Sequence, residues 1–248
     1  MKLYVGQTQF PRRLEQYAKR FNFAEVRAEP HRLPKLSELN RVRKVLGPEF
    51  RFAVALPKSF SNLEWNAEAE KALSFAEKVC ATLGAEWLIL QTQSTVFPSD
   101  RTRRRLAEWA TRLAKPERKL GWEPLGVWEP EEGDRWGADL GFHFVTDMSR
   151  QPSPEAAVRY ARIRSLGEAT RLRPYALEVL AENLEACEDA TVAFEGEDAA
   201  RSALSLREIL GEHAGGEGAD DFDDEFDEGD EFEGGATDDE GESETEGN

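Results

Sequence analysis

The sequence predicts a (β/α)8 barrel followed by an acidic tail. Three observations predict it. Strand and helix patterns alternate through the first 211 residues, eight segments have strand character, and the clearest pair of strands is joined through a helix, as parallel strands require. The barrel is assigned to Met1–Gly211, near the small end of the size range for that fold, and the tail to Glu212–Asn248. An open doubly wound sheet is the alternative use of the same units.

The clearest unit runs from Tyr17 to Asn62, YAKRFNFAEVRAEPHRLPKLSELNRVRKVLGPEFRFAVALPKSFSN. A helix ends near Phe21, and a strand at Phe23–Ala28 carries Glu25 and Arg27. A loop bounded by prolines and a second helix lead to a strand at Phe52–Leu56. The other candidate strands are Lys2–Val5, Trp87–Gln91, Lys119–Glu123, Leu140–Val145, Ala161–Arg164 and Thr191–Phe194. Leu106, Trp109, Ala110 and Leu113 make an apolar helical stripe, with Ser99 placed to cap it. Ala176, Leu177, Leu180 and Leu184 make another. Gly47 and Gly84 each follow a helical pattern, where a left-handed C′ residue is wanted. The connections after strands five and six, EPEEGDRWGAD and MSRQPSPEAAVRY, allow at most short helices.

Charge is distributed unevenly. Glu212–Asn248 holds 18 Asp and Glu and no Lys or Arg; removing those from the 49 acidic residues leaves 31, against 32 Lys and Arg. The body is therefore balanced and the tail carries the whole excess, so the low isoelectric point says nothing about partners of the body. The tail is too polar and self-repelling to offset its ordering entropy and is expected to be disordered.

Cys80 and Cys187 are far apart in sequence, and Cys80 shares a helical face with Leu73, Ala76 and Leu83, which favours a buried, inert thiol. The opening MKLYVGQTQF turns polar too soon for a signal peptide, and no apolar run reaches the length of a membrane span, so the expected compartment is the cytoplasm.

Several segments carry a resemblance to a known family. These are the Tyr17–Pro34 run, FRFAVALPKSFSN, the strand ending in Leu90-Gln91, and more weakly Trp122-Glu123, Asp147, ARIR at Ala161–Arg164, and VAFEG with the later Ala203. Together they resemble the YecE-like barrels, the family called domain of unknown function 72, over most of Lys2–Leu210. The resemblance implies a TIM-type barrel and supplies no activity. It also exposes departures. Pro30-His31 stands where the family has Phe-Tyr, Ala55 where it has a lysine, and Ser61-Asn62 where it has Thr-His. An Arg-His pair after the Glu123 position and a His-Gly pair near Arg164 are missing, and Glu195-Gly196 replaces Asn-Asn. Glu25, Gln91, Glu123, Asp147 and Arg162 look retained while the basic and imidazole groups are gone. Any chemistry the family performs is thus expected to be lost or changed here.

In a barrel, functional groups come from the C-terminal ends of strands. Here that set contains Glu25, Arg27, His31, Gln91, Glu123, Asp147, Arg162, Arg164 and Glu195. Glu25, Gln91, Glu123, Asp147 and Arg162 are the candidate ligand-binding residues, and Glu25, His31, Glu123 and Asp147 the candidates for catalysis. The three carboxylates could converge on a hard cation or form an acid–base pair. The competing arrangement is an internal ion-pair network, since Glu25 and Glu123 facing a barrel interior need Arg162 or Arg164 as partners. No His/His or His/Cys spacing suits a metal, so no metal site is assigned, and no Walker, GxGxxG or GxSxG motif points to a cofactor or a nucleophile. His143 is expected mid-strand as a core histidine. Arg101–Lys119 has eight Lys and Arg against two acidic residues, but an outer barrel helix with solvated arginines explains it better than nucleic acid does.

Three functions follow as expectations. The first is a small polar or anionic ligand at the barrel mouth with weak or no catalysis. The second is a metal-assisted hydrolase or isomerase using Glu25, Glu123 and Asp147. The third is a scaffold whose tail, with Phe222, Phe226 and Phe232 among its acids, binds a basic protein partner.

Overall fold

The computed structural model describes residues 1–150, 154–164 and 172–211; the segment assigned as the tail lies outside them. The elements, in chain order, are β1 (Lys2–Gln7), α1 (Leu14–Arg20), β2 (Phe23–Arg27), α2 (Leu36–Leu46), β3 (Arg51–Ala55), α3 (Ala67–Leu83), β4 (Trp87–Thr92) and α4 (Asp100–Leu113). They continue with β5 (Lys119–Pro124), α5 (Pro130–Leu140), β6 (His143–Phe144), β7 (Val158–Arg164), α6 (Pro174–Glu185), β8 (Asp189–Glu195) and α7 (Ala199–Ile209).

All eight strands are parallel, in the order β6-β5-β4-β3-β2-β1-β8-β7. That order runs round without the reversal that defines a doubly wound sheet. The last gap, between β6 and β7, is bridged at Thr146 and Ala161, where the Arg162 amide donates to the Thr146 carbonyl at 3.2 Å. The result is a nearly closed TIM-like barrel, as the alternating pattern predicts.

Side-chain alternation places one apolar set inside the barrel and two outside. Phe23, Ala53, Ala55, Trp87, Ile89, Val145, Tyr160 and Ala193 fill the middle of the interior. The outer faces of the strands pack against the helices in two clusters, one beneath α2–α5 and one beneath α6 and α7.

The β1–β2 contact is short, and two side chains complete it. Asn22 accepts from the Val5 amide and donates to the Leu3 carbonyl, both at 2.8 Å. The Tyr17 hydroxyl accepts from the Gln7 amide and donates to the Phe23 carbonyl, both at 3.0 Å. At Gly6 a Cβ would lie 1.8 Å from the Phe23 carbonyl oxygen, so the approach of the two strands excludes any side chain there.

Helix boundaries follow from their caps. Ser99 accepts from the Thr102 amide at 3.2 Å and starts α4, whose Leu106, Trp109, Ala110 and Leu113 are all buried. Gly84 ends α3 in the left-handed conformation. Gly47 does not match its expected role: its φ is positive, 77°, but its ψ of 174° is extended, so α2 ends without a left-handed cap.

The region after β5 corrects two expectations. The connection after β5, expected to hold at most a short helix, forms the eleven-residue α5 over Pro130–Leu140, and Leu140 ends that helix instead of starting a strand. Consequently β6 shrinks to two residues and His143 stands at its start, not at its middle. Pro130 at the first turn suits helix entry. The internal glycines look like helix breakers, yet a Cβ at Gly133 would lie 2.2 Å from the Phe144 ring and one at Gly137 would lie 2.8 Å from the Phe142 carbonyl. Close helix–strand packing outweighs local propensity here. After β6, no helix forms among the described residues before β7. No helix of the described residues is long and apolar enough to cross a membrane.

Candidate functional site at the upper end of the barrel

Strand parity brings Glu25, Gln91, Glu123, Tyr160, Arg162, Arg164 and Glu195 to the C-terminal end of the barrel interior. They form one connected network. Arg162 binds Glu25 and also donates to Glu123 at 2.8 Å. The Tyr160 hydroxyl donates to Glu25 at 2.5 Å, and the Gln91 amide donates to Glu123 at 3.0 Å. Arg164 lies above, 2.5 Å from Glu123 and 2.9 Å from Glu195.

Burial separates this network into two levels. Glu25, Glu123 and Arg162 are closed off, at 3 %, 3 % and 1 % exposure. The Arg164 side chain is 23 % exposed and that of Glu195 is 47 % exposed. The two carboxylates of Glu25 and Glu123 match the two guanidiniums of Arg162 and Arg164, and Glu195 adds a third carboxylate to the network; Arg27, of the same parity at the end of β2, donates to the Leu56 carbonyl at 3.0 Å. Burial alone would push Arg162 toward deprotonation, but Glu25 and Glu123 more than offset it and hold the guanidinium charged. Burial, with the neighbouring Glu25, raises the Tyr160 hydroxyl well above the ordinary tyrosine range, so it stays a neutral donor.

The other sequence candidates lie apart from the closed level. His31 is exposed, and its contact is with Glu29 at 3.5 Å. Asp147 has both oxygens engaged, Oδ1 by the Ser149 hydroxyl at 2.6 Å and Oδ2 by Arg150 at 3.0 Å and the Arg164 amide at 3.4 Å. It therefore ties the segment after β6 to the end of β7. Tyr160 escaped the sequence reading because that strand was started at Ala161; its parity with Arg162 and Arg164 was the available signal. The segment 165–171, which follows Arg164, lies outside the described residues.

A second ionic cluster sits at the opposite end of the barrel, also missed in the sequence. Arg51 pairs with Asp189 at 2.7 Å and Glu86 at 2.9 Å, and its guanidinium lies 3.4 Å from the Tyr4 ring centre. Lys119 pairs with Asp189 at 3.0 Å. Burial pushes the Asp189 carboxyl up, but hydrogen bonds from Arg51 and Lys119 outweigh it and hold it below the ordinary aspartate value. His143 stacks edge-on to Trp87 at 5.0 Å nearby.

The basic segment Arg101–Lys119 has few unengaged cations. Arg103 binds Asp139 at 2.5 Å, Arg118 binds Glu77 at 2.7 Å, Lys115 shares Glu77, and Arg112 lies 4.3 Å from the Trp65 ring centre. Open depressions of about 480 and 450 Å3 lie beside this segment, the first near Lys115, Lys119 and His143 and the second near Arg103 and Leu140. Neither includes the network at the upper end. Both cysteines are free and buried, and burial raises the Cys80 thiol to about 11.

Comparison with solved structures supports the barrel. A DUF72 family protein from Enterococcus faecalis V583 aligns with a TM-score of 0.67 at 16 % identity, over 85 % of this chain and 98 % of that one. A DUF72 family protein from Thermotoga maritima MSB8 aligns with a TM-score of 0.66 at 17 % identity, over 85 % and 100 %. An L-ribulose 3-epimerase aligns at 0.53 and 13 % identity, over 84 % and 90 %. At these identities the likeness is one of fold. No curated protein matches the chain. The sequence model described as "Protein of unknown function DUF72" matches residues 1–222, most of the chain's length, and the chain therefore belongs to the DUF72 family.

Proposed function

We propose that the upper end of the barrel binds a small polar ligand carrying an anionic group, with weak or no catalysis. The observation that carries this reading is the position of Arg164. Its inner partner, Glu123, is buried and fixed, while its outer partner, Glu195, is half-exposed and is the third carboxylate of the network. A carboxylate or phosphate taking the place of Glu195 keeps Arg164 paired and adds no unpaired charge to the interior. Gln91 lies beside the same carboxylate and offers neutral polar contact. Glu25, Glu123 and Arg162 hold Arg164 from beneath rather than touching the ligand.

Weak catalysis follows from the same pairing. A general base needs a free lone pair near the substrate, and the oxygens of Glu25 and Glu123 are occupied by Arg162, Tyr160, Gln91 and Arg164. A metal-assisted hydrolase or isomerase would need those oxygens for a cation, and the neighbours they have are cations and hydrogen-bond donors.

Calorimetric titration of the full chain with acetate, phosphate and sulfate, alongside uncharged polyols, tests the reading. Anions should bind and Arg164→Gln should abolish the signal. Binding that survives Arg164→Gln would refute the site. A flat panel would turn attention to the scaffold reading, in which salt-sensitive capture of a basic partner depends on Glu212–Asn248.

A further inference from the structure

Arg27 is a second guanidinium at the same mouth. It shares the parity of Glu25, so it faces the interior from the end of β2, and it is half-buried. One of its nitrogens donates to the Leu56 carbonyl at 3.0 Å. Glu29, two residues on, is taken by Arg32 at 2.9 Å, and among the described residues no carboxylate pairs with Arg27. A guanidinium has five N–H donors, so most of those on Arg27 are open to an acceptor from solution.

Strand register sets the level of each side chain at the mouth. In a barrel of this type the level of paired residues climbs by about one residue per strand. The contacts of Arg162 with Glu25 and Glu123 fix the direction of the climb, from β4 through β2 to β7. Arg27 pairs with Ala55 and Ala55 with Ile89, so Gln91, two residues beyond Ile89, stands level with Arg27. In the other direction Phe23 pairs with Gly6 and Gly6 with Ala193, which brings Glu195 to the level of Arg27 as well. Arg164, one strand further, stands about one residue higher. Arg27, Gln91, Glu195 and Arg164 therefore form one ring above the closed level. Arg27 lies three strands from Arg164 one way and five the other, nearly across the mouth.

The ring has a particular hydrogen-bonding demand. Gln91 gives its amide nitrogen to Glu123, which only accepts, so its Oε1 is the atom left over, with no hydrogen bond among the described residues. Arg27 and Gln91 are two strands apart, about 10 Å between backbones, a gap that the two side chains and one small group fill. A hydroxyl can accept from Arg27 and donate to Gln91 Oε1, whereas a second carboxylate could do only the first. The loop after β4 adds Gln93, Ser94 and Thr95, all exposed and polar. Charge agrees. Glu25, Glu123 and Glu195 equal Arg27, Arg162 and Arg164 in number, so turning Glu195 out to water leaves room for one anionic group and not for two.

We propose that the ligand is a polyhydroxy acid, its carboxylate on Arg164 in place of Glu195 and a hydroxyl held between Arg27 and Gln91. This rests on the anion reading given above and adds the class of the neutral part.

The experiment is calorimetric titration of the full chain with gluconate, with hexanoate as the acid of equal length lacking hydroxyls, sorbitol as the uncharged polyol and glucarate as the diacid. Gluconate should bind about tenfold tighter than hexanoate, and glucarate no tighter than gluconate. Those ratios come from the unaltered chain and do not depend on any variant folding. Arg27→Gln should lower gluconate affinity about tenfold and close most of the gap to hexanoate. Equal affinity for gluconate and hexanoate would overturn the hydroxyl pairing and leave the anion site standing. Gluconate binding undiminished in Arg27→Gln would overturn the place given to Arg27. Glucarate binding tenfold tighter than gluconate would overturn the single-acid ligand. Sorbitol binding as tightly as gluconate, or no acid binding at all, would overturn both readings.

Discussion

Arg162 on β7 spans the barrel interior to Glu25 on β2, 137 residues earlier in the chain, and both side chains are almost wholly buried. The pair shares its guanidinium with Glu123, so one arginine bridges two buried carboxylates, the second of which also has Arg164. Arg162→Met leaves buried Glu25 without a cation and Glu123 with Arg164 alone, and should lower stability by about 3–5 kcal/mol in urea unfolding. Adding Glu25→Met should recover part of the loss. The deficit of the single variant should shrink as pH falls, because an unpaired buried carboxyl takes up a proton readily.

Asn22 makes the hydrogen bonds that a longer β1–β2 ladder would otherwise supply. Asn22→Ala removes two of them and strands the Val5 amide and the Leu3 carbonyl. A loss of about 2 kcal/mol is expected. Amide hydrogen exchange of Val5 should accelerate more than exchange in β4, a local effect that a general loss of stability would not produce.

His143 sets part of the acid response. Burial, reinforced by Lys119 and Arg159, lowers its pKa below the ordinary histidine value; Asp134 and a hydrogen bond to the Val158 backbone oppose this, and Trp87 covers one ring edge. The unfolded chain, with a histidine pKa near 6.5, therefore takes up the proton first as pH falls. Stability should decline from about pH 6.5 downward until folded His143 titrates. His143→Gln should flatten that part of the urea-midpoint profile, whatever it does to stability at pH 8. An unchanged slope would show that other groups set it.

Gly133 packs directly against the Phe144 ring. Gly133→Ala gains helix propensity of roughly 1 kcal/mol, but the added methyl must displace the ring. Overpacking should win, giving a net loss of about 1–3 kcal/mol in thermal or urea unfolding. Asp139 on the exposed face of the same helix offers the control, where Ala should change little beyond its pairing with Arg103.

The legible parts of this fold are those governed by local alternation. β2, β3 and β4 have the apolar and parity signals that a buried parallel strand leaves in sequence, and α4 declares itself by Ser99 and its stripe. The facing of Glu25 and Arg162 was also legible, because two buried charges on one interior need each other. β6 was not, since two residues carry no period. α5 was not, because Gly133 and Gly137 are there for contacts with Phe144 and Phe142, which no local window contains. The Arg51–Asp189–Lys119 cluster joins three strand beginnings from distant parts of the chain, and a reading focused on strand ends passes over it.

The gap between β6 and β7 has a consequence for association. A fully laddered barrel has no edges, whereas here, among the described residues, the backbone pairing across this gap is one bridge at Thr146 and Ala161, supported by the Asp147 carboxylate accepting from the Arg164 amide. If that bridge opens, the barrel becomes a curled sheet, and β7 presents a row of unpaired amides and carbonyls long enough to accept a strand from another molecule. Domain swapping and edge-to-edge aggregation should therefore begin at Val158–Arg164, well before the chain as a whole unfolds.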